Sequence, residues 1–275
     1  MHILVSADMA GATGVTCSAD VAPGSEQWQR FRRLLTADVN ACVAGLFDGG
    51  ARSVLVNEAH SSQRNVLLED LDERCRLLTG RHKPLAMMQG IDNSVDGVVF
   101  LGYHAGAGGR GVLAHTFLEA SVTGVWLDGR PASEGWLNAA LAAEYGVPVL
   151  LVTGDDMACR DAEVYAPDAI RVAVKEYVSR YAAICLPPAR TGKQIRAAAQ
   201  AAMAKAGRAE GLAVGHRIDV EFDAAHLADA AAVVPTVALV DVRRVAFEAT
   251  TMTEAMKTFT TVTAIAAAAI DGTYG

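Results

Sequence analysis

The sequence predicts an α/β protein with a largely parallel sheet and flanking helices, followed by a smaller C-terminal α+β domain. Three observations carry this. Short aliphatic runs that end in polar residues (HILVSAD, RSVLVNEAH, GVVFLGYHAG, VPVLLVTGDD) alternate with helical stretches through about the first 160 residues. The texture then changes, after Pro187 and Pro188, to an alanine-rich helix and valine-rich strands, which divides the chain into 1–186 and 187–275. Finally, 275 residues with 52% hydrophobic and 20% charged side chains can bury a core without disulfide or metal staples.

Taken in order, HILVSAD reads as a buried strand stopped by the glycine-bearing MAGATG. In SEQWQRFRRLLTADVNACVAGLFDGG, Phe31, Leu35, Val39, Cys42, Val43 and Leu46 fall on one helical stripe, and Gly49 and Gly50 supply the stop. RSVLVNEAH repeats the strand-then-polar theme. VLLEDLDERCRLLTG is expected to be a short helix before a Gly-Arg-His-Lys-Pro turn. GVVFLGYHAG and SVTGVWLDGRP are expected strands, SEGWLNAALAAEYG a helix with Ser133 as its N-cap, and VPVLLVTGDD a further buried strand. Beyond residue 186, LPPARTGKQIRAAAQAAMAKAG reads as helix, HRIDVEFD and AAVVPTVALVDVRRVAFEATT as strand-like, and TEAMKTFTTVTAIAAAAI as a last helix.

The net charge of -7 offers no basic stripe to displace counterions, which argues against a nucleic-acid partner and leaves a small peptide or amide open. Cys17, Cys42, Cys75, Cys159 and Cys185 are odd in number, widely spread and in no CxxC pair, so reduced thiols in a cytoplasmic protein are expected. No basic segment followed by an apolar run begins the chain, and no secretory signal is expected. The most apolar stretches, GVPVLLVTG and VTAIAAAAI, fall short of the roughly 20 residues that span a bilayer, so no membrane partner is expected either.

In open α/β sheets, ligands bind outside the carboxyl ends of the strands. Polar residues gather at those ends: Asp8, then Asn57, Glu58 and His60, then His104, then Asp155 and Asp156, with Glu134 at the start of the helix between the fourth and fifth strands. Imidazole and carboxylate are the ligands zinc and related ions take in catalytic sites, and a carboxylate such as Asp8 can bridge two ions. Each residue also has a plainer reading. Asp8 could form an Asx-turn, His60 could be an exposed loop histidine, and His115 in VLAHTF could be a satisfied core histidine. Glu134, Asp155 and Asp156 could be helix-start carboxylates. Taken singly, none is decisive; their concentration at one sheet edge strengthens the metal reading and leaves the plainer ones open. GAGGRG, Gly106 to Gly111, matches GxGxxG, but no clear helix start follows it, and a loop allowing close substrate approach fits these glycines better than a dinucleotide does. No HExxH or GxSxG motif occurs.

Together SADMAGATGV, VLVNEAHSSQRN, RHKPLAMMQGID, FLGYHAGA, GVLAHTF, GRPASEGWLNAALAAEYGVPVLLVTGDD and FEATTMTEAMKTF make the chain similar, nearly end to end, to the zinc-dependent D-aminopeptidases of the dipeptide-permease operon type (the DppA family). The resemblance implies a di-zinc enzyme that releases N-terminal D-amino acids from short peptides and assembles as a homo-oligomer, a ring-shaped decamer. It implies that Asp8 bridges the ions, that His60 binds one, that His104 and Glu134 bind the other, and that His115 is the catalytic histidine. One position departs. Where the family has Asp-Met-Glu-Gly, with the glutamate on the same ion as His60, this chain has Asp8-Met9-Ala10-Gly11. A methyl group cannot coordinate, so the resemblance implies a hydrolase impaired at that ion. The alternative is a non-catalytic relative that binds peptides or D-amino acids. Three explanations of Ala10 stand open: an introduced substitution, a natural variant working with one tightly held ion, or a relative that has lost catalysis.

Overall fold

The computed structural model describes residues 1–209, 211 and 215–271. Alternate residues of β1 (His2–Ala7) decide the layering. Ile3, Val5 and Ala7 join a cluster with Phe31, Leu35, Val39 and Leu46, the apolar stripe of α2 (Glu26–Asp48), which follows the one-turn α1 (Ser18–Val21). Leu4 faces the opposite cluster. β1 pairs in parallel with β2 (Ser53–Glu58) on one side and β4 (Gly97–Leu101) on the other, and β3 (Arg76–Leu78) extends the sheet beyond β2. Burial on both faces is why these strands are near-continuous apolar runs rather than alternating ones.

After β4 the chain leaves for a second sheet through β5 (Val122–Leu127) and β6 (Arg130–Pro131). It returns by α3 (Glu134–Glu144), capped as expected by Ser133 accepting from the Trp136 N–H, to β7 (Val149–Asp155). Next come α4 (Asp156–Tyr165) and the hairpin of β8 (Ile170–Ser179) and β9 (Ala182–Cys185). α5 (Pro188–Ala202), begun on Pro188, packs against α2. β10 (His216–Phe222), α6 (Ala225–Ala231), β11 (Ala238–Asp241), β12 (Arg244–Ala249) and α7 (Met252–Ala268) follow. The first sheet runs β3-β2-β1-β4-β7-β8-β9, parallel up to the antiparallel β9; the second, antiparallel, runs β11-β12-β10-β5-β6. This is the α/β architecture that the sequence predicts. β5 and β6 precede Pro187 and lie in the second sheet, while α5 follows it and packs beside the first.

The expected helix in VLLEDLDERCRLLTG is not formed. Leu68–Asp70 make one 3-10 turn, and Arg76–Leu78 pair with β2 instead. The reason is a side chain of α2: Asn40 accepts from the Asp72 N–H at 2.8 Å and donates to the Asp70 carbonyl at 2.7 Å. Those two backbone groups are thereby withdrawn from a helical ladder.

Strand order reverses between β1 and β4, so the loops leaving them diverge and open a crevice. The loops interlock before they part. The Asp8 N–H donates to the Leu101 carbonyl and the Gly11 N–H to the Gly102 carbonyl, both at 2.8 Å. Gly102 has φ +70°, and a Cβ there would overlap the Asp8 carbonyl oxygen. Gly102→Ala is therefore expected to destabilise by more than about 3 kcal/mol, from left-handed strain plus overpacking. Gly50→Ala, at φ +93° but in open space, should cost about 1 kcal/mol. Urea unfolding of both variants measures the difference.

Candidate metal centre

Five side chains meet in the crevice, each delivered by a different piece of backbone. Asp8 follows β1 and His104 follows β4, on the two sides of the switch point. His60 lies in the loop after β2. His115 lies in the long loop between β4 and β5, and Glu134 opens α3. One Asp8 oxygen, Oδ1, takes the Met9 N–H at 2.6 Å and faces His60 Nδ1 at 3.1 Å. The other, Oδ2, lies 3.1 Å from His104 Nε2, which is also 3.3 Å from Glu134 Oε2. The second Glu134 oxygen accepts the Phe117 N–H at 2.7 Å.

His104 Nδ1 faces the Ala105 carbonyl at 3.0 Å, so the ring hydrogen is assigned there. Nε2 then carries the lone pair. It is fully enclosed and makes no in-line hydrogen bond, although two carboxylate oxygens stand beside it. A lone pair directed among carboxylates is a set of acceptors without a donor, which a divalent cation satisfies. His115 is oriented the same way. Its Nδ1 meets the Leu113 carbonyl at 2.6 Å, which leaves Nε2 free, and its ring stacks on His104 with centroids 4.0 Å apart. Ligand atoms of His104, His115 and Glu134 all lie within 4.8 Å of one another. The donor set therefore fits a zinc-like ion.

His60 is differently placed. Its Nε2 faces the Val21 carbonyl at 3.0 Å while Nδ1 faces Asp8, so both nitrogens meet acceptors and neither presents a lone pair to the crevice. Ala10, where a further ligand is expected from the resemblance, is buried and offers only its methyl group and a carbonyl already taken by Lys175.

The charges are coupled. Burial alone would raise the Asp8 carboxyl, but His104 and His60 outweigh it and hold it well below the usual range. Glu134 is likewise lowered by His104 against the effect of burial. Burial would lower His104, yet Glu134 and Asp8 raise it well above an ordinary imidazole. His60 is also raised, by Asp8 and the Val21 carbonyl against its burial. His115 goes the other way: burial, then the neighbouring charge of His104, push it down to about 4. With no cation at His104 Nε2, Glu134 and Asp8 would draw a proton to that nitrogen, the place a divalent ion would otherwise take, while His115 stays neutral near pH 7.

Outer contacts fix each loop. Glu58 accepts the Asn65 and Val66 N–H groups, and Asn65 donates to the His60 carbonyl. Asp155, which the sequence left open between ligand and cap, caps α4 through the Ala158 N–H and accepts the Val112 N–H of the His115 loop at 2.6 Å. It is a cap that also steadies the site. Asn57 is spent on the Ala86 and Met87 carbonyls and on Lys83. Asp156 accepts the Tyr177 N–H. Non-glycine residues in the left-handed region cluster on these loops: Ser61 and Gln63 after His60, and Leu113 and Phe117 on either side of His115. Strain of about 1–3 kcal/mol per such residue persists only where surroundings enforce it.

An α/β fold with a histidine–carboxylate cluster at its switch point defines a protein built around a candidate metal centre. Comparison with known proteins narrows it. The D-aminopeptidase family profile matches residues 1–261, and the chain belongs to that family. It is 39% identical over 193 residues to a D-aminopeptidase of Bacillus subtilis (strain 168), covering 70% of each chain. It also superposes on the solved structure of the zinc-dependent D-aminopeptidase DppA from Bacillus subtilis, described as a self-compartmentalizing protease. There the TM-score is 0.93 at 33% identity, over 97% of this chain and 98% of that one.

Because an ion that binds only the folded chain stabilises it by mass action, zinc at roughly a thousand times its dissociation constant should add about 4 kcal/mol to stability. Asp8→Asn and Glu134→Gln should abolish most of that gain. Thermal melts of chelator-treated protein with and without zinc provide the measurement.

Proposed function

We propose that this chain is a zinc aminopeptidase that releases N-terminal D-amino acids from short peptides, using one tightly held ion. The observation that carries the reading is His104 Nε2, enclosed between Asp8 and Glu134 with its lone pair unmatched. Those three side chains would hold the ion. The family's second position, which the resemblance assigns to His60 and a glutamate, is weakened here: Ala10 has no donor, and His60 is turned to Asp8 and the Val21 carbonyl.

A bound zinc ion supplies Lewis acidity towards the scissile carbonyl and water. The chain's own residues do the remainder. His115, neutral and fixed by the Leu113 carbonyl, presents Nε2 as the group that takes and returns a proton during peptide cleavage. Asp155 steadies the loop that carries it, through the Val112 N–H. Asp8, held by Met9 and His60, keeps its second oxygen aimed at the centre.

Assembly belongs to the same proposal. The chain forms a homo-oligomer, by resemblance a decameric ring. Support comes from the self-compartmentalizing relative and from apolar side chains left exposed here: Val178, Tyr181 and Ile184 on the β8–β9 hairpin, and Leu239, Val240 and Val242 around β11. A cytoplasmic setting is proposed from the five free thiols. No helix among the described residues is long and apolar enough to cross a membrane. Ala10 favours one second reading, a peptide-binding relative without turnover.

Zinc-loaded protein should release D-alanine from D-Ala-D-Ala and leave L-Ala-L-Ala intact. Absence of release with zinc, cobalt and manganese alike would support the binding reading instead. Ala10→Glu should raise bound zinc from about one equivalent to about two, read by elemental mass spectrometry, and should raise turnover. His115→Ala should cut turnover by about 10²–10⁴-fold with zinc content unchanged; loss of zinc as well would make His115 a ligand.

A further inference from the structure

Lys175 lies in β8 with its side chain among buried groups, 1% exposed. An ammonium there carries a desolvation penalty that an aliphatic residue would not. Its three protons all go to one segment. Nζ donates to the carbonyls of Ala10 at 2.9 Å, Ala12 at 3.1 Å and Val15 at 2.7 Å. The loop that leaves β1 with Asp8 is therefore wrapped around the ammonium much as a loop wraps a small cation.

The wrapped turn connects directly to the carboxylate. The Ala12 N–H donates to the Met9 carbonyl at 3.1 Å, closing the turn whose carbonyls Lys175 gathers. The Met9 N–H is the donor that sets Asp8 Oδ1 at 2.6 Å. From the far side, both oxygens of Asp38 hold Thr13, by its N–H and its hydroxyl, each at 2.9 Å. Asp155 is the register partner of Lys175 across β7 and β8, and it holds the His115 loop through the Val112 N–H. Two charged side chains on neighbouring strands thus brace the two loops of the site.

We propose that Lys175 is a positioning residue: by gathering the carbonyls of Ala10, Ala12 and Val15 it sets the direction in which Asp8 presents its carboxylate to a metal ion. This rests on the metal-centre reading given above. Within its own loop the donor to the Asp8 side chain is the Met9 N–H, which is part of that turn, while His60 and His104 meet the same carboxylate from other loops.

Lys175→Met keeps the stem and removes the charge. Hydrogen exchange of amides 9–15 should quicken about tenfold or more while β4 keeps its protection, and cobalt affinity should fall about tenfold with a changed visible spectrum. Phe222→Leu, a core change in the second sheet, is the control: it should lower the melting temperature and leave the cobalt spectrum and affinity alone. Parent-like cobalt affinity and spectrum in folded Lys175→Met overturn the proposal. Should that variant prove insoluble, Asp38→Ala, which frees Thr13 of the same loop, takes its place under the same criterion. Failure of the parent chain to bind cobalt would sink the metal-centre reading, and exchange at residues 9–15 would then decide alone whether Lys175 holds the loop.

Discussion

One buried carboxylate organises this protein. Asp8 sits in an apolar interior, where an ionised group is tolerated only when its charge is met. One oxygen takes the Met9 N–H and faces His60, and the other faces His104 Nε2 across the place a cation would fill. Those partners come from the ends of β2, β1 and β4, and the reversal of strand order at β1 is what sets β4 on its far side from β2. The glycines that let the β1 and β4 loops touch, and the Glu58 latch that folds back the His60 loop, serve the same requirement. Take Asp8 away, and three imidazoles and a glutamate would be left, with nothing to join His60 to the other three.

The framework was legible in the sequence because its signals are local. Apolar runs ending in polar residues are strands buried on both faces, and the stripe from Phe31 to Leu46 is a helix against a sheet. Asp8, His60, His104 and Glu134 could be picked out since switch-point chemistry collects at strand ends. Non-local pairings were not legible. Nothing near residue 125 announces that β5 will lie beside β10, some ninety residues later. Asn40 gives no hint on its own helix that it will take the backbone groups of Asp70 and Asp72 and forbid a helix there. Lys175, a lone ammonium within RVAVKEYV, was the one signal that could have been noticed: a charge amid β-branched residues asks for a partner, though not which one.

Ala10 shows how finely such a cluster divides. Its carbonyl accepts from Lys175. At this place the chain has a methyl group, and His60 faces Asp8 and the Val21 carbonyl. Membership in the D-aminopeptidase family thus holds with an alanine at this position.

The grip of Lys175 on residues 10–15 also orders events in time. The first loop of the chain cannot take its final shape until β8 has been made and docked, long after β1 leaves the ribosome. Sites assembled from residues so far apart are slow, late products of folding. A nascent chain that ends before β8 would carry Asp8, His60, His104 and Glu134 without the ammonium that gathers the Ala10, Ala12 and Val15 carbonyls.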